Sequence, residues 1–445
     1  MGRRSPQPLL LIAAAAFALL LIGCSRVSKP QGWAPPELVG DSLYVSIERG
    51  KMAALDANTA PETGADCDDA ADNDGDGAIN EGCPKAGAKS ESGSDCRNDK
   101  SDDTSDGVRD DDAVNDGCPA TIVRWIFPPD SKEGDKLDLE GIYGAPVIGD
   151  DIVYFGAHDG TIYALDAAEG FAIWAFQTDD AIVNALALKD GTLFAGSTDG
   201  QLYAIDAASG DETGRFDTGS SIWASPLVVG DVIYVAAMDG RLYALNTDTL
   251  DPVEGFSFKA DAGLLMDPTL ANEDTLLAGG LDSKLFALDP STGNEVWPQP
   301  FEGGNWFWGR PIVRDDTIFI ADLDGNVQAI GLDDGRPRWS KPFKAEAAVR
   351  SKPLLAGDTL VIIDRHGNAY GLNPEDGTQK WGPTLLGKTV LSDPFLLVPE
   401  ASPSPTGTET AATEVLILAQ GGDLCRIDPA DGSPVAALLC SEVPS

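Results

Sequence analysis

A unit of about 42 residues repeats along most of this 445-residue chain, and it constrains the fold more than any other feature. Three copies are plain. Ala145–Tyr154 runs into His158-Asp159-Gly160-Thr161-Ile162-Tyr163-Ala164-Leu165-Asp166. The pattern returns over Ala185–Asp206, ending Asp199-Gly200-Gln201-Leu202-Tyr203-Ala204-Ile205-Asp206, and again over Ser225–Asn246. The position closing each copy is Asp56, Asp166, Asp206, Asn246, Asp289, Gly331, Asn373 and Asp428, with spacings from 166 onward of 40, 40, 43, 42, 42 and 55. A glycine usually follows four residues later, as at Gly170, Gly210, Gly293, Gly335, Gly377 and Gly432. A tryptophan follows eight residues later at Trp174, Trp297, Trp339 and Trp381.

Each unit reads as four short strands. Strand A follows a small-residue–proline step such as Ala145-Pro146 or Ser225-Pro226. A Gly-Asp turn leads to strand B, and an Asp-Gly hairpin, which glycine permits at positive φ, leads to strand C. Strand D is expected to carry the tryptophan. One such sheet cannot bury both its faces, whereas sheets stacked radially bury one another and leave no long edges. The expectation is an all-β, eight-bladed β-propeller of four-stranded antiparallel blades, spanning 38–445. The blades are placed at about 38–125, 142–179, 180–219, 220–260, 261–303, 304–345, 346–387 and 388–445. Blades 3, 4 and 8 lack the tryptophan, with Gly214, Glu254 and Ala436 in its place. Phe216 and Phe256 are expected to substitute in blades 3 and 4.

The run Tyr-Ala-Leu-Asp-x-x-x-Gly-x-x-x-Trp resembles the propeller repeat of the pyrroloquinoline-quinone (PQQ) family, and within it the BamB-like lipoprotein scaffolds. The resemblance implies a protein-binding scaffold. Quinoprotein dehydrogenases share the blade, so a PQQ-dependent dehydrogenase is the rival reading. Those enzymes carry an adjacent Cys-Cys pair over the cofactor. No Cys-Cys occurs here and no cysteine lies between 118 and 425, so PQQ and enzymatic activity are not expected.

Residues 1–24 read as a lipoprotein signal peptide. Arg3 and Arg4 precede an apolar run of 14 residues, Leu9–Ile22, too short for a comfortable membrane span, which needs about 20. The run ends Leu21-Ile22-Gly23-Cys24, which resembles the bacterial lipobox, so Cys24 is the expected lipidation site and 25–37 a tether to the membrane. Export places the chain where disulfides persist. The six remaining cysteines are paired as Cys67–Cys83, Cys96–Cys118 and Cys425–Cys440, although six allow 15 connectivities.

Residues 61–120 form an insertion between strands C and D of blade 1. They hold 18 acidic and 5 basic residues and no aromatic residue, too little apolar surface for an ordinary core. Asp72, Asp74, Asp76 and Asn80, with Gly77 at the sixth position, match the first part of an EF-hand loop, where alternating hard oxygens wrap a Ca²⁺ ion. Cys83 stands where the bidentate Glu belongs, so the segment resembles a thrombospondin type 3 repeat more closely. Asp102, Thr104, Asp106 and Asp110 take the same positions in a second half-repeat. Ca²⁺ is the expected cofactor, held weakly at about 10⁻⁴–10⁻³ M as in extracellular modules. A second decoration, Pro399–Thr413, is rich in Pro, Ser and Thr and joins strands A and B of blade 8.

The formal charge of −41 argues against nucleic acid as a partner, since phosphate contacts need Lys or Arg. The only histidines, His158 and His366, are read as occupying the same turn position in two blades, far from any nucleophile motif. The candidate binding site is therefore the channel mouth formed by the D–A loops, with Trp223, Trp306, Trp308, Arg310, Arg350 and Lys352. Aromatic and Arg side chains are frequent binding hot spots. The expected function is a non-catalytic, monomeric, membrane-anchored envelope or cell-surface lipoprotein with a protein partner. A cell-wall or polysaccharide-binding surface protein is the third reading.

Overall fold

Eight separate four-stranded sheets make up the structure, each antiparallel and each ordered as its strands run in the chain. The computed structural model describes residues 34–40, 42–47, 50–56, 123–129, 137–397, 413–419, 423–435 and 440–442. Blade 1 holds β1 (Glu37–Val39), β2 (Ser42–Ile47), β3 (Lys51–Asp56) and β4 (Val123–Phe127). Blade 2 holds β5 (Val147–Gly149), β6 (Ile152–Gly156), β7 (Thr161–Asp166) and β8 (Ala172–Gln177). Blade 3 holds β9 (Ala187–Lys189), β10 (Thr192–Gly196), β11 (Gln201–Asp206) and β12 (Glu212–Asp217). Blade 4 holds β13 (Leu227–Val229), β14 (Val232–Ala236), β15 (Arg241–Asn246) and β16 (Phe258–Lys259). Blade 5 holds β17 (Thr269–Asn272), β18 (Thr275–Gly279), β19 (Lys284–Leu288) and β20 (Phe301–Glu302). Blade 6 holds β21 (Ile312–Arg314), β22 (Thr317–Ala321), β23 (Asn326–Gly331) and β24 (Phe343–Lys344). Blade 7 holds β25 (Leu354–Ala356), β26 (Thr359–Ile363), β27 (Asn368–Leu372) and β28 (Gln379–Leu385). Blade 8 holds β29 (Phe395–Leu397), β30 (Glu414–Ala419), β31 (Asp423–Ile427) and β32 (Cys440–Glu442).

The middle strands of each blade are buried on both faces, as in β10 and β14, because a neighbouring blade covers each side. Eight apolar clusters fill the eight interfaces. The last joins Leu43 and Val45 of blade 1 to Leu416 and Leu418 of blade 8, which closes the ring. The blade 1 insertion enters between β3 and β4, and the residues after Leu397 enter between β29 and β30, so both decorations leave the face of the A–B and C–D loops.

The repeat markers act between blades. Trp174 Nε1 donates to the carbonyl of Ala207 in blade 3 at 3.0 Å, and Gly210 of that blade lies under its indole, where a Cβ would come within 2.7 Å of the ring. The arrangement recurs for Trp125 with Gly170, Trp297 with Gly335, Trp339 with Gly377 and Trp381 with Gly432. A tryptophan of one blade thus needs the glycine of the next, since any side chain there would displace the ring.

A second inter-blade pair joins a phenylalanine near the end of strand D to an aromatic residue on strand C of the next blade. Phe127–Tyr163, Phe176–Tyr203, Phe216–Tyr243, Phe258–Phe286 and Phe343–Tyr370 have ring centroids 5.5, 5.7, 5.4, 5.0 and 5.3 Å apart, within the range favoured for edge-to-face contact.

Three expectations change. In blades 5 and 6 the tryptophan precedes strand D instead of lying on it. Pro298 and Pro300, and Pro337 and Pro342, supply no ladder N–H, and β20 and β24 shrink to two residues. Phe216 does not take the tryptophan position: it is the regular D-strand phenylalanine, and Leu250 of blade 4 lies against Gly214 instead. Phe256 does sit 5.8 Å from Tyr234, the same spacing as Trp174 from Tyr154. Finally, His158 and His366 are one position out of register. Gly160 N bonds Ala157 O and Gly367 N bonds Asp364 O, so His366 matches Asp159 and His158 matches Arg365.

Candidate functional site

Strand A is the inner strand of each blade, and neighbouring A strands approach one another around the axis, as β5 with β9, β9 with β13 and β25 with β29. The residue just before the strand A proline therefore faces the channel end in several blades. Proline restrains that residue to extended geometry and sets its direction. From blade 4 onward these residues are Ser225, Asp267, Arg310, Lys352 and Asp393; blade 2 has Ala145, and in blade 3 the equivalent Ala185 precedes Leu186 instead of a proline.

The residues form a belt. Ala185 N donates to Ser225 Oγ at 3.1 Å, Ser225 N donates to Asp267 Oδ1 at 2.6 Å, and Lys352 N donates to Asp393 Oδ1 at 2.7 Å. Each of these bonds crosses from one blade to the next. Arg310 spans the charged half of the ring, with Nε 3.7 Å from Asp267 Oδ2 and Nη2 4.0 Å from Asp393 Oδ2. Lys352 Nζ also lies 4.0 Å from Asp393 Oδ2. Burial pushes the Asp267 carboxyl above the usual carboxylate range, against the pull of Arg310 and of the Ser225 amide. Burial likewise pushes Glu37 of β1 up, opposed by Lys352 and Arg310. One half of the channel end is thus charged and the other is small and neutral.

Above this ring the loop residues pair differently. The Arg350 guanidinium stacks over Trp308 at 5.1 Å, a cation–π contact between the D–A loops of successive blades. Trp306 is held through its backbone, donating N–H to Asn305 Oδ1 and accepting from Leu323 N. Trp223 is half-buried ahead of β13 and shares no hydrogen bond, ion pair or ring contact with these groups among the described residues. The structure therefore brings Arg310 with Lys352, and Trp308 with Arg350, into two adjacent contacts. Asp267, Asp393 and Glu37 complete the charged group without having been singled out in the sequence. For the two aspartates the signal was available, as the pre-proline position recurs every 41 to 43 residues from Ser225 to Asp393.

Cys425 is buried on β31 and its direct register partner across the ladder is Cys440 of β32. Cys24, the Ca²⁺ ligand candidates Asp72, Asp74, Asp76, Asn80, Asp102, Thr104, Asp106 and Asp110, and Cys67, Cys83, Cys96 and Cys118 lie outside the described residues. Among the described residues no group of three or more His, Cys, Asp or Glu is placed to hold a metal ion, and no helix is long and apolar enough to cross a membrane.

Fold and channel ring together define a closed eight-bladed propeller with a loop-built surface at one end of its axis. The family model described as outer membrane protein assembly factor BamB matches residues 158–253 and 255–395, more than half of the chain, and the chain belongs to that family. Two solved structures share the fold. The crystal structure of BamB from Moraxella catarrhalis is 19% identical, with a TM-score of 0.52, covering 67% of this chain and 87% of that one. The computationally designed Ika8 protein is 15% identical, with a TM-score of 0.54, covering 66% of this chain and 86% of that one. No curated protein matches in sequence.

Proposed function

We propose that the chain is a non-catalytic, lipid-anchored envelope scaffold that docks a protein partner on the D–A face of its propeller. The observation that carries this reading is the Trp308–Arg350 stack beside Arg310, an aromatic and cationic group of half-exposed side chains at the mouth of a rigid ring. Side chains of this type, already ordered before binding, lose little entropy on docking and are common anchors of protein interfaces. The name of the matching family, an outer membrane assembly factor, points the same way.

The same ring is a poor socket for PQQ, an anionic quinone. Asp267, Asp393 and Glu37 are acidic, and Arg310 and Lys352 are already engaged by those carboxylates. Cys24 is proposed as the lipid attachment point, and the 61–120 insertion as a weak Ca²⁺ module outside the propeller. Isothermal titration of the chain with Ca²⁺ tests the latter, with Asp74→Asn and Asp76→Asn expected to remove the part of the heat that belongs to the first half-repeat.

A photo-crosslinking residue placed at Trp306 or Arg350 in living cells tests the docking face. A discrete adduct is expected at those positions and none at Asp190 or Asp248, which lie on turns of the opposite face. Equal adducts from both faces, or from neither, would remove the reading.

A further inference from the structure

One of the inter-blade aromatic pairs is incomplete. Phe301 of blade 5 stands where Phe127, Phe176, Phe216, Phe258 and Phe343 stand in their blades, but strand C of blade 6 presents Gln328 in place of an aromatic ring. A cavity of about 310 Å³ lies there, lined by Phe301, Phe307, Ile320, Asp322, Gln328 and Pro342 among others, and it opens at the rim where Glu302 and Pro342 are exposed. The truncated β24 leaves this part of β23 uncovered. Gln328 Oε1 accepts the Ala329 N–H at 3.0 Å, satisfying an amide on a stretch of β23 that β24 does not cover.

Blade 7 shows what the cavity lacks. There Asp364 Oδ2 accepts Asn368 Nδ2 at 2.8 Å, Ala347 N at 3.1 Å and the Tyr370 hydroxyl at 3.2 Å, while Oδ1 accepts His366 N and Asn368 N. In blade 6 Asp322 repeats the set. Its Oδ2 accepts Asn326 Nδ2 at 2.8 Å and Gly304 N at 2.9 Å, and its Oδ1 accepts Asp324 N and Asn326 N. Only the phenol is missing. Tyr163, Tyr203 and Tyr243 also donate to a hairpin aspartate, Asp159, Asp199 and Asp239, which sits two positions further along the turn than Asp364.

We propose that this cleft binds a para-substituted phenol, its ring against Phe301 and its hydroxyl donating to Asp322 Oδ2. The interior wall is apolar, which suits a ring. Its carboxylate is an acceptor, and Glu302 at the rim disfavours an anion, so an aromatic acid is rejected where a neutral phenol is taken. The para position faces outward, so the ring belongs either to a free phenol or to a tyrosyl side chain of another protein. This site is separate from the channel mouth and does not depend on the docking reading above.

The test is titration of the full chain with p-cresol by calorimetry and saturation-transfer NMR, beside toluene and benzoate. Saturable p-cresol binding is expected, with toluene and benzoate at least tenfold weaker. Gln328→Tyr supplies the ring from within: it is expected to weaken p-cresol binding at least tenfold and to leave the melting temperature unchanged or higher. A blocked Gly-Tyr-Gly peptide that binds more tightly than p-cresol identifies a protein tyrosine as the natural occupant, and weaker binding identifies a free phenol. Equal p-cresol binding by wild type and Gln328→Tyr, or equal binding of toluene and p-cresol, overturns the proposal. A Gln328→Tyr chain that melts earlier or fails to fold also overturns it, because the cleft then has no room for the ring.

Discussion

Leu250 packs against Gly214 across the interface of blades 3 and 4, its Cδ1 3.4 Å from where a glycine Cβ would stand. At other interfaces a tryptophan of the first blade meets a glycine of the second. Here the large and small partners have changed sides. Leu250 keeps the left-handed backbone of the glycine it replaces, with φ of 59°, a conformation costly for a side chain with a Cβ. A large residue still opposes a small one, as a close-packed interior demands, although leucine fills less space than the tryptophan it stands for.

The exchange predicts a coupled pair. Leu250→Gly alone should cost about 2 kcal/mol, the loss from emptying a buried leucine site being partly offset by relief of the backbone. Gly214→Trp alone should clash with Leu250. The double variant should recover much of the loss, and a double-mutant cycle in denaturant measures the coupling. Additive losses would show that the two positions do not share one space.

Gly210 and Gly191 separate two roles of glycine. Both have positive φ, 78° and 77°, but a Cβ at Gly210 meets the Trp174 ring at 2.7 Å and one at Gly191 meets nothing within 4 Å. Gly191→Ala should cost about 1 kcal/mol from backbone strain alone. Gly210→Ala should cost about 2–4 kcal/mol, strain plus overpacking. Melting temperatures of the two variants check the order, and a reversed order would contradict the inter-blade role of the tryptophan.

Burial, aided by Asp239, pushes the Tyr243 phenol up to about 12, and burial does the same for Tyr370. Tyr163 and Tyr203 are displaced in the same direction. A phenol whose native pKa exceeds the unfolded value near 10 contributes its stability in full below pH 10 and loses it as pH rises towards 12. Alkaline unfolding and phenolate absorbance at 295 nm should therefore rise together between pH 10 and 12. Ionisation of these phenols near pH 10 with the fold intact would refute the assignment.

Asp267 carries the opposite practical consequence at neutral pH. Its raised pKa means that the native state holds the proton more tightly, so the charged form is a burden above that pKa and the protonated form is not. Asp267→Asn keeps an acceptor for Ser225 N, and Arg310 keeps Asp393. The variant should melt no lower than wild type at pH 7, and any advantage should shrink as pH falls towards 4. A marked loss of stability at pH 7 would mean that the Arg310 pairing outweighs burial.

Cys425 and Cys440 are direct register partners in the ladder, where antiparallel Cα atoms lie about 4.5–5.5 Å apart, within the range a disulfide spans. Non-reducing peptide mapping of the chain purified under oxidising conditions should recover residues 425 and 440 in one linked fragment. Free thiols at both positions would exclude the pair.

Much of the blade was legible in the residues. Asp166 and Asp206 mark the turn after strand C because their carboxylates accept the amides of Ala168 and Glu169, and of Ala208 and Ser209, a bond made within a few residues. The channel mouth was legible only in part. Arg310 and Lys352 stood out as cations in an acidic chain, while Asp267 and Asp393 were two acidic residues among 72 acidic residues in all.

The order of strands, the number of blades and the hairpin chemistry follow from the chain by itself, because alternation, Asp-Gly turns and the 42-residue period are local and repeat. Which tryptophan meets which glycine, the gathering of Asp267, Arg310, Lys352 and Asp393 at one end of the axis, and the vacant phenol position beside Asp322 were decided by the closed ring. Those contacts join residues of different blades, and a periodic sequence states the spacing of its units but not the side chains that meet when the units are packed around an axis.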